Sequence, residues 1–123
     1  MFHFKPVLMK LYPGAYSADY VILELERYAE EFELRSEQYP ELADEVAFVR
    51  KHIGIVSNLL RSNLDTVTHR MDYDIVHTAN GILLPVLDMC EALCDRCNRV
   101  EFDAGWNFTY LMKAKEYGFS EGA

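Results

Sequence analysis

"LLPVLDMCEALCDRC", residues 83–97, is the stretch of sequence that decides the fold, because its cysteines fit either a metal site or a buried helix face. The chain has three cysteines and all of them lie here. Steps of four and three residues, which keep side chains on one face of an α-helix, connect them to two preceding leucines. The full seam is Leu83, Leu87, Cys90, Cys94 and Cys97. We therefore predict a helix whose buried face includes the cysteines as small hydrophobic residues.

A metal site at the cysteines meets a geometric objection. Cys90 and Cys97 would lie about 10 Å apart along a straight helix axis. Thiolates on one zinc ion must lie within roughly 4 Å of each other, so at most two of the three cysteines could ligate it. The C-x3-C-x2-C spacing also resembles the cluster-binding motif of radical S-adenosylmethionine enzymes, but that motif lies in a loop near the start of a much larger α/β barrel. We predict no cofactor, and a two-cysteine metal or redox role is the alternative.

Two further helices are predicted upstream of this seam. Ser17 is a suitable N-cap, and apolar residues then recur every three or four positions, which predicts a helix over about 17–37. Pro40 favours the first turn of a second helix, which the same alternation extends over about 40–66. The apolar positions of the first helix are Val21, Leu25, Tyr28 and Phe32.

The rest of the chain is less regular. Asn80-Gly81 and Pro85 are helix-breaking signals, which predict a short helix over 72–79 and a longer one over about 82–99, or one helix with a bend. Asp103 is a suitable cap for a short last helix. Residues 1–16 contain two interruptions by proline and are predicted to form an extended arm that packs on the bundle or on a second subunit.

Together these segments predict an all-α fold in a single domain over residues 1–123. The architecture is an antiparallel helical bundle of three principal helices plus a short C-terminal helix, with an extended N-terminal arm. A homodimer is plausible, since three long helices can leave an apolar face uncovered.

Charge limits the classes of partner. Twenty acidic and 12 basic residues give a net charge of −8, which opposes direct binding to nucleic acid or to an anionic membrane. A protein with a basic surface is the natural partner. No apolar run is long enough for a membrane span, and an odd number of cysteines favours reduced thiols, so we expect a soluble cytoplasmic protein.

Acidic residues follow helix edges at alternating spacings of three and four residues. On the first helix they are Asp19, Glu26, Glu30, Glu33 and Glu37, and on the third they are Asp88, Glu91 and Asp95. We predict that these residues, with Trp106 as an aromatic anchor, bind the partner. The alternative is that each edge is a solvated face that keeps the protein soluble.

A second polar cluster supports two alternative functions. Its members, His69, Asp72, Asp74 and His77, are suitable metal ligands and form the alternative metal site. Arg70 and His77, with six residues between them, resemble the loose R-x(4–6)-H signature of HEPN-type ribonucleases, which are helical bundles. That resemblance implies a metal-free ribonuclease in which the arginine holds a phosphate and the histidine moves a proton. The other interpretation is structural: Asp72 or Asp74 caps a helix, His69 lies in the connection and His77 lies on the surface.

The favoured interpretation is a small acidic protein-binding module without catalytic residues. Its small size, acidity and helical fold are suited to an inhibitor, an antitoxin or immunity-type protein, or an adaptor. Small acidic inhibitors of this general design occur among phage and bacterial-conflict proteins. Its expected partner is a basic protein, a class that includes proteins that bind nucleic acid. Common enzymatic motifs, such as a glycine-rich phosphate loop or H-E-x-x-H, do not occur in the sequence.

Overall fold

A computed structural model describes residues 2–5, 11, 17–63 and 73–116, with side chains for all of these except 17, 73 and 106–116. Helix α1 spans Ser17–Gln38, helix α2 spans Ala43–Asn63 and helix α3 spans Tyr73–Glu116. A 3₁₀ turn at Pro40–Leu42 precedes α2. The prediction of an all-α helical bundle is confirmed. None of the described helices combines the length and the apolar character that crossing a membrane requires.

The connection between α1 and α2 is a tight reversal. Tyr39 donates its backbone N–H to the Arg35 carbonyl at 2.8 Å, and its own carbonyl accepts the Leu42 N–H at 3.0 Å. Pro40 follows at the first position of the 3₁₀ turn, where its fixed φ suits a helix start and its missing N–H costs no hydrogen bond. The second helical segment therefore begins at the proline, as predicted, and α2 returns alongside α1.

Helix α2 packs along both of its neighbours, whereas α1 and α3 contact each other over few residues. Among the described residues the core is apolar except for buried Ser57, and it includes the whole predicted seam of α3. Its largest fully buried side chains come from all three helices and the 3₁₀ turn: Leu25, Phe32, Leu42, Leu60, Leu83 and Leu87. The helical periodicity therefore identified the buried faces correctly.

The described residues of the N-terminal arm lie on the bundle, where they pack against α1 and α3. Phe2 is 8% exposed and Leu11 is 2% exposed. The Phe2 ring contacts two α1 rings, with centroid distances of 5.7 Å to Tyr28 and 5.3 Å to Phe32. The Tyr28 hydroxyl also donates to the His3 carbonyl at 3.1 Å. At these described residues the arm packs on the bundle; residues 6–10 and 12–16 lie outside the described residues, and the alternative of packing on a second subunit stays a prediction.

Helix α3 is continuous, so the prediction of a separate short C-terminal helix is wrong. The residues that were expected to divide it are all helical. Pro85 and Gly81, the residue four positions earlier, are both exposed, and water can therefore satisfy the Gly81 carbonyl that the proline leaves without a donor. Asp103 and Gly105 lower helix propensity only modestly, and no proline follows them in α3 to interrupt the backbone hydrogen bonds.

The great length of α3 carries its C-terminal part past the other helices. It has 44 residues, about 66 Å of helix, against 22 residues in α1. Arg35, near the end of α1, lies 2.7 Å from the Glu101 carboxylate in an ion pair, which marks where the bundle ends. Beyond this point Phe102 is 70% exposed. Residues 102–116 therefore form a helical extension of the bundle.

Candidate partner-binding surface

The acidic edge of α1 is partly occupied by ion pairs within the molecule. Glu26 pairs with Arg61, and Glu33 pairs with Arg50 at 2.6 Å. Both arginines belong to α2, so these carboxylates lie along the junction between the two helices. Two of the five predicted binding residues on α1 therefore already have basic partners.

The other acidic residues of this edge differ in their surroundings. Glu30 and Glu37 are exposed and form no ion pair with any described residue. Asp19 lies half-buried in the first turn of α1. The predicted acidic stripe is thus split between an interhelical junction and a solvent-facing remainder, and its role in binding a partner stays a prediction.

Most described arginines are also held in ion pairs. Arg27 pairs with Glu24 at 2.8 Å. Arg35 lies 3.0 Å from Glu31 as well as close to Glu101, and its guanidinium carbon is 5.0 Å from the Phe2 ring centroid. Arg96 of α3 pairs with Glu45 of α2 at 3.2 Å. The described bases outside these pairs are Lys5, Lys51 and Arg99.

The outer face of α3 has the opposite character. Asp88, Glu91 and Asp95 are exposed, and none of them pairs with a base in the described part of the chain. Their spacing of three and four residues places them on one side of the helix, away from the seam that faces the core. Two exposed apolar side chains, Leu84 and Phe102, lie on the same helix on either side of this acidic group. The structure therefore places the second predicted set of binding residues on one exposed face, where they have no ion-pair partner among the described residues.

Trp106, the predicted aromatic anchor, belongs to the C-terminal extension of α3. It follows the exposed Phe102 by four residues, about one helical turn. The orientation of its side chain lies outside the described residues, and its role as an anchor stays a prediction.

The cysteines are buried and free, which confirms their place in the helix seam. Burial raises the pKa of Cys90 to about 12 and that of Cys97 to about 11. Burial also raises the pKa of Cys94, whose thiol donates to the Phe2 carbonyl at 2.9 Å. Reactive and metal-binding cysteines act as thiolates, whereas these three are held as neutral thiols at pH 7.

The alternative catalytic and metal residues are only partly described. Asp74 and His77 lie in the first turns of α3 and are both exposed. Within the described residues, no three histidine, cysteine, aspartate or glutamate side chains are grouped closely enough to hold a metal ion. His69, Arg70 and Asp72 lie outside the described residues, so the ribonuclease and metal hypotheses stay predictions.

Two asparagines that the sequence patterns did not single out hold the arm. Asn98 exchanges hydrogen bonds with both backbone polar groups of Phe2, and Asn80 does the same with Leu11. The two asparagines are 18 residues apart, which is five turns of an α-helix and places both amides on one line. That spacing is the signal from which they could have been found.

The chain matches no protein-family model, no curated protein and no solved structure.

Proposed function

We propose that the chain is a small acidic protein-binding module that engages a basic surface of another protein through the outer face of α3. The observation that carries this proposal is the difference between the two acidic edges. Ion pairs with α2 engage Glu26 and Glu33 on α1, whereas Asp88, Glu91 and Asp95 on α3 are exposed and pair with no described base. Carboxylates that are free of internal partners can exchange water for the lysines and arginines of a second protein.

The dimensions of this face suit a compact basic site. Asp88 and Asp95 are about 10 Å apart along the helix axis, with Glu91 between them. Leu84 and Phe102 supply apolar contact area on either side, and aromatic side chains commonly dominate binding energy at the centre of an interface. The net charge of −8 supports rapid association, because it attracts a basic partner over distances of about one Debye length.

The biological role that suits this build is that of an inhibitor, an antitoxin or immunity-type protein, or an adaptor. Neighbouring carboxylates on the α3 face follow one another at roughly 5 Å along the axis, comparable in scale to nucleic-acid phosphates, so the face suits the basic groove of a nucleic-acid-binding protein. We place the protein in the cytoplasm, where three free thiols would persist in reduced form. The proposal needs no cofactor and no direct contact with nucleic acid or membrane.

The test is affinity capture from cells of the natural source, followed by quantitative mass spectrometry. The bait would be the wild-type chain and an Asp88→Asn/Glu91→Gln/Asp95→Asn variant. The control neutralises two exposed carboxylates to which no binding role is assigned and which form no ion pair with a described residue, in Glu41→Gln/Asp103→Asn. We expect a basic protein that the wild type and the control capture and that the α3 variant loses. Capture that is equal for all three baits would contradict the proposal.

A further inference from the structure

The side of α2 that faces away from α1 carries an apolar stripe. Phe48 and Ile55 are 57% and 52% exposed, and half-buried Leu59 continues the stripe four residues later. Spacings of seven and four residues place the three side chains on one line along the helix, with half-buried His52, whose ring centroid lies 4.4 Å from that of Phe48, between them. Large apolar side chains on one continuous line are typical of an interaction surface, whereas single exposed ones are common on any protein.

Helix α3 presents a second stripe beside the first. Ile75, Ile82 and Met89 are spaced by seven residues, and Ile82 is 40% exposed while the other two are half-buried. The outer face of α3 that carries the acidic residues is a different side of the same helix. The two stripes therefore border the junction between α2 and α3, which we call the groove.

Two recesses show how the helices run along this groove. Leu59 of α2 and Ile82 of α3 line one recess together with Asp74, and the other is lined by Phe48, Met89 and Asp44. The end of α2 thus lies beside the start of α3, as in an antiparallel pair. From Phe48 to Leu59 the groove is about 16 Å long, which corresponds to three turns of a helix.

Both ends of the groove are negatively charged. Asp44 lines one recess and Asp74 lines the other, and neither aspartate forms an ion pair with a described residue. Among the described residues, no lysine or arginine lines either recess, although Glu45, which lies beside Asp44, pairs with Arg96 of α3. The groove therefore combines an apolar floor with a carboxylate at each end.

We infer that this groove binds a basic amphipathic helix of the partner protein, an inference that rests on the proposed function for the identity of that partner as a basic protein. A helix of about three turns would place apolar residues at i, i+3 or i+4 and i+7 between the two stripes. Its lysines or arginines would lie near Asp44 and Asp74. Anchors in the groove supply affinity and the charges supply orientation.

A second copy of the chain fits the same groove less well. Because both ends carry an aspartate, two grooves that faced each other would bring carboxylate against carboxylate in either direction. Like charges across an interface oppose association. A basic helix would instead be attracted by the aspartate at each end of the groove. For this reason we infer a basic helix as the occupant.

The test uses the full-length chain and a fluorescent synthetic helix of leucine and lysine, about 14 residues long, with all leucines on one face. Peptide controls are the same helix with glutamate for lysine and a scrambled peptide of the same composition. The groove variant is Ile55→Ser/Ile82→Ser, and the matched protein control is Leu23→Ser/Leu34→Ser, which alters exposed leucines on α1. Circular dichroism would confirm that both variants are folded.

We expect the groove variant to raise the dissociation constant of the peptide by about 10-fold or more, and the α1 control to leave it within about two-fold. Asp44→Asn/Asp74→Asn should weaken binding mainly at low salt. Equal binding by wild type and groove variant would overturn the inference. So would a wild-type dimer that becomes monomeric in the groove variant, because a second copy would then be the occupant.

Failure of this inference can be told from failure of the proposed function. If the peptide does not bind while capture through Asp88, Glu91 and Asp95 succeeds, the groove inference is wrong and the proposed function stands. If no basic protein is captured but the peptide binds and the groove variant loses it, the groove is a helix-binding site and the proposed use of the outer α3 face is wrong.

Discussion

Asn98 of α3 holds the backbone of Phe2 at both of its polar groups. The Phe2 N–H donates to the Asn98 side-chain oxygen at 2.9 Å, and the Asn98 side-chain nitrogen donates to the Phe2 carbonyl at 2.6 Å. Asn80 holds Leu11 in the same way, at 3.1 Å in each direction. The arm therefore completes the fold where α1 and α3 have few contacts of their own.

Asn98→Ala should lower the free energy of unfolding by about 1–2 kcal/mol, because two partly buried backbone groups lose their partner. Urea denaturation followed by circular dichroism measures this change. Asn58→Ala, at an exposed position of α2, is the matched control and should change stability by less than about 0.5 kcal/mol. Equal effects of the two substitutions would show that the asparagine contacts do not anchor the arm.

The buried thiols predict how stability depends on alkaline pH. Burial raises the pKa of Cys90 to about 12 and that of Cys97 to about 11, from an ordinary value of 9.0. In the unfolded chain the thiols ionise above about pH 9, while in the folded protein they stay neutral. Their contribution to stability is therefore complete below pH 9 and is lost as the pH rises towards 11 and 12.

Urea denaturation at several pH values between 8 and 10.5 tests whether stability falls as the pH rises. The free energy of unfolding of the wild type should fall with pH more steeply than that of Cys90→Ala/Cys97→Ala, by up to about 1.4 kcal/mol per pH unit for each thiol. All other ionisable groups are the same in the two proteins, so the comparison isolates the cysteines. Parallel pH profiles would rule out the predicted linkage.

Cys94→Ala tests whether the cysteine seam is structural. The substitution removes one buried sulfur and its hydrogen bond to the Phe2 carbonyl, so we expect a loss of roughly 1–2 kcal/mol in the free energy of unfolding. Elemental analysis of wild type and variant, purified without chelator, should show no difference in metal content. A metal that is present in the wild type and lost in Cys94→Ala would restore the metal hypothesis.

Local sequence signals were enough to place most of the fold. The periodicity of apolar residues identified the buried faces, and Ser17 and Pro40 marked where helical segments begin. Asn80 and Pro85 misled because their effect depends on surroundings: the Asn80 side chain binds the arm, and Pro85 lies on an exposed face. Tertiary contacts and solvent exposure can therefore override a residue's tendency to break a helix, and neither can be read from the neighbouring residues in the sequence.

The candidate site was harder to predict, because an acidic stripe gives no sign of what lies opposite it. Glu26 precedes Glu33 on α1, whereas the partner of Glu26, Arg61, follows the partner of Glu33, Arg50, on α2. Antiparallel helices require this reversed order. This order could have been recognised from the sequence once the antiparallel pairing was assumed. The groove between α2 and α3 depends on the relative rotation of two helices, which their separate patterns do not determine.

His77→Ala distinguishes the binding proposal from the ribonuclease alternative. The proposal gives His77 no catalytic role, so purified wild type and variant should leave a fluorescent RNA substrate equally intact. Gel electrophoresis over several hours measures the remaining full-length RNA. Cleavage by the wild type that disappears in His77→Ala would instead support a catalytic pair with Arg70.

The central claim is that the outer face of α3 recognises a basic protein, and its most direct test is the association rate constant of the captured partner. Biosensor measurements at about 50 mM and 150 mM salt separate charge steering from short-range contacts. We predict that Asp88→Asn/Glu91→Gln/Asp95→Asn lowers this constant about 10-fold at the lower salt concentration, with a smaller effect at the higher one. The Glu41→Gln/Asp103→Asn control should stay within about two-fold of the wild type. Equal rate constants for all three proteins, or a loss confined to the control, would contradict the claim.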